Sequence, residues 1–195
     1  YIPTGRNVGR VEYIHGGVAR NVVEDIANVE LRPTYLSIVD DSPMGQDVLK
    51  KLQKHKVNCD HVLTRPDGLG LWLAVFDNDG DVAGSISKRP NAYPLVGLLE
   101  REGDQIFAGA DSVVLQVDLH KDIVKKVFEL AEKYHTRLFA LVSNMSIAAE
   151  RRDFLQKFDC FICNQQEAGM LFLDDYEGKS VEEMELILSD KVVRA

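Results

Sequence analysis

The chain has 195 residues, 45% of them hydrophobic, with a formal net charge of −8 and three cysteines. That length and apolar content suffice for a sizeable core, and the acidity excludes nucleic acid or an anionic membrane surface as the main partner. No apolar run reaches the length of a membrane span, no signal peptide opens the sequence, and an odd cysteine count suits a reducing, cytoplasmic setting. The first residue is Tyr1 rather than Met, and strand-like sequence arrives late, which reads as a processed or truncated start.

Residues 6–15, with Val8, Val11 and Tyr13 alternating, read as a short strand or pair of strands. His15-Gly16-Gly17-Val18-Ala19-Arg20-Asn21 then feeds a helix over 18–29. Two adjacent glycines remove both side chains, so another molecule can lie against the backbone, where the free N–H groups and the positive end of the helix dipole face it. Asn21 adds an amide able both to donate to and to accept from a polyol. The plainer reading of the same stretch is a tight turn with an N-cap.

Residues 34–39 form a β-rich run, and Ser42-Pro43 starts a helix carrying Val48, Leu49 and Leu52 on one side. Asn78-Asp79-Gly80 is a hairpin turn between Leu71–Phe76, apolar on both faces, and a small, polar strand over 82–87. A strand of the first kind is central in a sheet, covers a ligand or meets a partner subunit. Beyond Pro90 and Pro94 come a strand over 112–117, a helix over 121–134, a strand over 137–142, a helix near 148–157, a strand over 160–163, and helices near 166–173 and 181–188.

This alternation means βαβ units and a parallel sheet with helices on both faces, an α/β protein whose ligands gather at the carboxyl ends of the strands. The polar residues just past those ends are Asp40, Asp41, Asp118, Ser143, Asn144 and the run Asn164 to Glu167, which are expected along one edge.

On these residues the chain resembles the ribokinase-like (PfkB) family of carbohydrate and nucleoside kinases, over nearly its whole length and in order. Gly16-Gly17-x-x-x-Asn21 resembles the family's sugar-binding Gly-Gly-x-x-x-Asn. Val39-Asp40-Asp41-Ser42-Pro43-Met44-Gly45 is similar to its Gly-Asp-Asp-x-x-Gly segment, with Val39 in place of the first glycine. Leu115 to Asp118 corresponds to a strand ending in an acidic residue beside the sugar, and Asn164-Gln165-Gln166-Glu167 to the Asn-x-x-Glu motif associated with Mg²⁺ and phosphate. Gly-Gly-Val-Ala-Arg-Asn and the run Trp72 to Gly80 are most similar to pseudouridine kinases.

The resemblance implies a Rossmann-like three-layer sandwich with a mostly parallel sheet and a small β lid, formed by segments near 6–15 and 70–88, in a single domain. It implies transfer of the γ-phosphoryl group of ATP to a hydroxymethyl oxygen of a sugar or ribosyl substrate, with Mg²⁺ as cofactor. Gly16, Gly17, Asn21 and Asp118 would hold the substrate hydroxyls, Asn164 would order the phosphate-side loop, and Glu167 would organise Mg²⁺ through its waters. The lid implies pairing into a homodimer.

Two departures stand out. The family's first strand carries a sugar-gripping aspartate for which nothing precedes Tyr1, and its catalytic aspartate sits in a Gly-Ala-Gly-Asp loop opening a helix. Phe107-Ala108-Gly109-Ala110-Asp111 only mimics that loop, since it precedes a strand. The sequence therefore reads as incomplete at both ends, with continuation past Ala195 expected. The alternative is a short, inactive paralogue that binds a sugar or nucleoside as a sensor or partner. A Rossmann oxidoreductase would need G-x-G-x-x-G after a strand, which the sequence lacks.

Cys160-Phe161-Ile162-Cys163 is C-x-x-C without a second pair, and on a strand its cysteines face opposite ways, so metal or redox use is not expected. His15 is either a substrate contact or a satisfied loop residue. Arg20 is either a clamp for a ring or phosphate, or solvated surface. Glu182, Glu183 and Glu185 read as an exposed helix face.

Overall fold

The computed structural model describes residue 2 and residues 4–191; Tyr1, singled out above, lies outside them. Contacts group the chain into two compact units, Tyr1–Leu95 and Val96–Ala195.

In the first unit the order is α1 (Val18–Asn28), β1 (Ser37–Val39), α2 (Pro43–Lys54), β2 (Val62–Thr64), β3 (Leu71–Phe76) and β4 (Val82–Lys88). Strands β1 and β2 pair in parallel, Ser37 opposite Val62, and an isolated bridge from Thr34 to Asn58 continues the pairing. The apolar faces of α1 and α2 meet in a core of Val23, Leu52 and Val57, with Ala27, Tyr35, Val48 and Cys59 packed around it. Helix α2 starts where Ser42-Pro43 says it should: the Ser42 hydroxyl accepts from the Gly45 amide at 3.1 Å, and proline occupies the first turn. Strands β3 and β4 form an antiparallel hairpin, Leu71 opposite Lys88, with a register shift at Val75/Phe76. Its turn is held by the Asp77 carboxylate, which accepts from the amides of Asp79 (3.0 Å) and Asp81 (2.9 Å).

The second unit holds α3 (Pro94–Ala108, beginning at the boundary), β5 (Ser112–Gln116), α4 (Lys121–Tyr134), β6 (Arg137–Leu141), α5 (Met145–Ala149), α6 (Arg152–Leu155), β7 (Cys160–Phe161), α7 (Gln165–Phe172) and α8 (Val181–Lys191). Strands β5, β6 and β7 lie side by side in that order, all parallel, with Ser112 opposite Arg137 and Phe139 opposite Cys160. Helix α4 buries Ile123, Val124, Val127, Phe128, Leu130 and Ala131. The Phe128 ring meets Phe154 and Phe158 edge to face, with centroids 5.6 and 5.3 Å away.

The structure corrects several expectations. Residues 6–15 form no strand: Val8 is 92% exposed, Val11, Tyr13 and Ile14 also face outward, and no described strand pairs with them, so alternation alone does not make a ladder. The helix expected near 148–157 is two short pieces. Asn144 caps Ile147 at 3.2 Å and starts α5 early, and Arg151 then leaves helical geometry (φ −120°, ψ 38°). The strand expected over 160–163 is shorter, pairing at Cys160 and Phe161 and no further. Leu71–Phe76, apolar on both faces, sits in a two-stranded ladder rather than at the centre of a sheet.

Gly45 is required by close approach. A Cβ there would overlap the Asp40 carbonyl oxygen and lie 2.6 Å from Asp40 Oδ1. Gly45→Ala in the full-length protein is expected to cost about 1–3 kcal/mol, the usual range for overpacking, read as a lower denaturation midpoint at unchanged slope. Gly84→Ala, where a Cβ meets nothing within 4 Å, is the control and should not lower it.

Candidate functional site

In the first unit the Gly-Gly loop runs directly into α1. Gly17 takes the N-cap position with φ 99° and ψ 120°, a conformation that requires glycine. No side chain caps the helix and its first turn holds no acidic residue, so the positive end of its dipole is unneutralised. Gly16 and Gly17 are exposed, and a Cβ on Gly16 would meet nothing within 4 Å. The loop is steadied by His15, whose Nε2 lies 2.8 Å from Asp47 Oδ2 on α2, which makes His15 a satisfied loop residue here.

Arg20 is neither solvated nor turned outward. It is 8% exposed, and its guanidinium pairs with Glu24 one turn on and with the Asn21 side-chain oxygen next door. Glu24 is also approached by Lys51 Nζ (3.4 Å) and His55 Nε2 (3.5 Å), and His55 Nδ1 lies 2.8 Å from Asn28 Oδ1. Burial pushes the Glu24 carboxyl up, but the hydrogen bonds and charges of Arg20 and Lys51 outweigh it and hold it below 4.5. Asn21, the fourth residue of α1, is exposed. Its oxygen is taken by Arg20, so its amide faces outward as a donor only, not as the two-way group that the sequence suggests.

Past β1, Asp40 Oδ1 accepts from the Ser42 amide (3.2 Å) and hydroxyl (2.5 Å), which locks the turn into α2. Gly68 is a second close approach to this strand end: a Cβ there would lie 2.6 Å from the Val39 carbonyl carbon.

In the second unit, Asp118, Ser143 and Asn164 follow the parallel strands β5, β6 and β7 and share the carboxyl edge of one sheet, whereas Asp40 and Asp41, expected along the same edge, follow β1 of the separate β1–β2 sheet. Asp118 is 8% exposed, and its two oxygens accept from the Ser143 amide (3.2 Å) and hydroxyl (2.7 Å). Gln116 Nε2 donates to the same hydroxyl at 3.0 Å. Arg151 ties down the strand end by donating to the carbonyls of Val117 (2.7 Å) and Leu119. Asn164 and Glu167 form a reciprocal capping box on α7, each side chain accepting from the other's amide at 2.8 Å. One Glu167 oxygen is thus committed to the backbone, and among the described residues none donates to the other. Among the described residues no group of three or more His, Cys, Asp or Glu side chains could hold a metal ion.

Burial, then the Glu167 charge, pushes the Cys163 thiol up, so Cys163 is no ready thiolate. The mimic loop at 107–111 runs from the end of α3 to β5 and opens no helix. Sequence reasoning missed Glu24, Lys51, His55 and Arg151. The i, i+4 spacing of Arg20 and Glu24 could have signalled the first; nothing local signals the others.

A profile of the pfkB family carbohydrate kinases matches residues 3–189. The chain belongs to that family. A guanosine-inosine kinase from Exiguobacterium acetylicum is 35% identical over 167 residues, 85% of this chain and 55% of that protein. The chain thus spans about half the length of this curated relative. Among solved structures, a carbohydrate kinase from Agrobacterium tumefaciens superposes with a TM-score of 0.70 at 17% identity, covering 88% of this chain and 56% of that one. Arabidopsis thaliana ribokinase, solved with ribose and ATP, superposes at 0.71 and 17% identity, covering 95% and 62%. These superpositions make the fold ribokinase-like and α/β. Among the described residues of this pfkB chain, no helix is long and apolar enough to cross a membrane.

Because the Glu24 carboxyl is held low in the folded state, its ion pair contributes fully above the ordinary value of 4.5 and is lost as pH falls through the lowered one. Urea titrations of the full-length protein across acidic pH should show Glu24→Gln less stable at neutrality and less sensitive to acid. An acid slope equal to wild type would mean the pair does not matter.

Proposed function

We propose that this chain belongs to an ATP-dependent kinase that transfers the γ-phosphoryl group to a hydroxymethyl oxygen of a ribosyl compound, with nucleosides favoured over free sugars. The observation that carries this reading is the family match over residues 3–189, joined to 35% identity with a protein named as a guanosine-inosine kinase. The exposed Gly16-Gly17 backbone and the uncapped start of α1 suit close approach by a polyol, and Asn21 would hold one of its oxygens. Asp118, pinned by Ser143, would take a hydroxyl proton in a hydrogen bond. Asn164 would order the phosphate-side loop, and Glu167 would hold a water of hydrated Mg²⁺. The metal, when bound, neutralises charge on the phosphates.

The same reading places the protein in the cytoplasm as a homodimer. A lone two-stranded hairpin is marginal in water, yet β3–β4 exposes Trp72 (58%), Leu73, Phe76 and Ile86 (71%) on both faces. A second copy would cover them. Sedimentation should give a dimer for the full-length protein and a monomer for Trp72→Ser/Phe76→Ser; a wild-type monomer at micromolar concentration removes this part of the reading.

The activity test is a panel of inosine, guanosine, pseudouridine, ribose and fructose with ATP and Mg²⁺, using the full-length protein. Asn21→Ala and Asp118→Ala should each raise the acceptor KM about ten-fold or more, as loss of a strong hydrogen bond does, with ATP KM within about two-fold. Glu167→Gln keeps a residue able to complete the capping box, so its turnover should fall without unfolding and recover partly at high Mg²⁺. Binding of panel members without turnover would overturn the kinase reading.

A further inference from the structure

We infer that Arg20 is a positioning residue that fixes the Asn21 side chain as a pure hydrogen-bond donor, so that this position selects a substrate oxygen by its lone pair. The inference rests on the reading of Asn21 as an acceptor-substrate contact. Its ground is an asymmetry of chemistry. A guanidinium carries only donors, and an amide oxygen has two lone pairs.

Two guanidinium nitrogens of Arg20 converge on the same terminal atom of Asn21, Nε at 3.2 Å and one terminal nitrogen closer still. That atom must be the oxygen, because an NH₂ group there would face two donors. Both lone pairs of Oδ1 are then spent inside the protein, and the exposed face of the side chain is its NH₂ group. The remaining guanidinium nitrogen pairs with Glu24, which Lys51 and His55 hold in turn. Arg20 is buried and engaged on both prongs, so it cannot swing out to grip a ligand; it acts only through Asn21. Next to it lies the uncapped start of α1, whose first N–H groups have no partner within the helix, while the Gly17 carbonyl is already taken by the Asn21 amide. The Asn21 side chain and the start of α1 therefore both present donors. They take hydroxyl, carbonyl or phosphate oxygens as acceptors, and a hydroxyl bound here must give its own proton to another group.

The test uses Arg20→Lys, Asn21→Asp and Asn21→Ala in the full-length protein, with whichever of inosine, guanosine, pseudouridine, ribose and fructose is phosphorylated fastest. Lysine keeps the charge beside Glu24 but lacks the planar fork that also reaches Asn21. Arg20→Lys should therefore melt within about 4 °C of wild type, a shift worth roughly 1–2 kcal/mol, while its acceptor KM rises about ten-fold and its kcat and ATP KM stay within about two-fold. Asn21→Asp, isosteric but without a donor, should raise acceptor KM as much as Asn21→Ala. Adding Arg20→Lys to Asn21→Ala should change KM by less than about two-fold, since the two act as one unit. A wild-type KM in Arg20→Lys, a tolerated Asn21→Asp, or effects that multiply in the double variant would each overturn the inference. An unchanged KM in Asn21→Ala would instead overturn the underlying reading of the site.

Discussion

Strands β1, β5, β6 and β7 each hand over to a helix, and the first amides of that helix have no partner within it. How those amides are satisfied organises the rest. After β1, Asp40 fixes Ser42 and Ser42 caps α2; after β6, Asn144 caps α5; after β7, Asn164 and Glu167 cap α7 reciprocally. His120 and Ser180 do the same for α4 and α8. Asn164 and Glu167, the pair proposed for the phosphate side, are thus also the residues that hold one strand-to-helix turn together. A carboxylate already bound by backbone amides sits in one place, which is what a site built on positioning needs.

Helix α1 departs from this pattern. It starts at Gly17 with no capping side chain and no acidic residue in its first turn, while a buried arginine in that turn is held by Glu24, which Lys51 and His55 approach in turn. The polar investment lies behind the helix start and the front is left bare. With glycine at the N-cap, the missing side-chain cap alone would cost only a few tenths of a kcal/mol. Next to two exposed glycines and an amide held in one orientation, the bare end is the kind of surface that a ligand completes.

The hairpin shows where local pattern stops being informative. Asn78-Asp79-Gly80 and the flanking β-formers specify the turn and both strands, and both form. Residues 6–15 carry a similar alternation and form no strand, because a ladder depends on a partner that local sequence does not contain. For the same reason the apolar content of Leu71–Phe76 could not distinguish a buried strand from an exposed one.

What the sequence determined by itself was therefore local and chemical: the helix starts at Val18 and Pro43, the span Lys121–Tyr134, the hairpin turn, the βαβ rhythm, and the order of four short motifs. These follow from capping, periodicity and turn geometry within a few residues of each other. Only the tertiary structure decided the rest. It broke the helix near 148–157 at Arg151, whose guanidinium reaches carbonyls more than thirty residues earlier in the chain. It buried Arg20 and so spent the oxygen of Asn21, and it locked Asp118 to Ser143 across neighbouring strands. The Arg151 and Asp118 outcomes depend on which groups meet across long separations, where charge pairing and the satisfaction of buried polar atoms outweigh any preference of the residue alone.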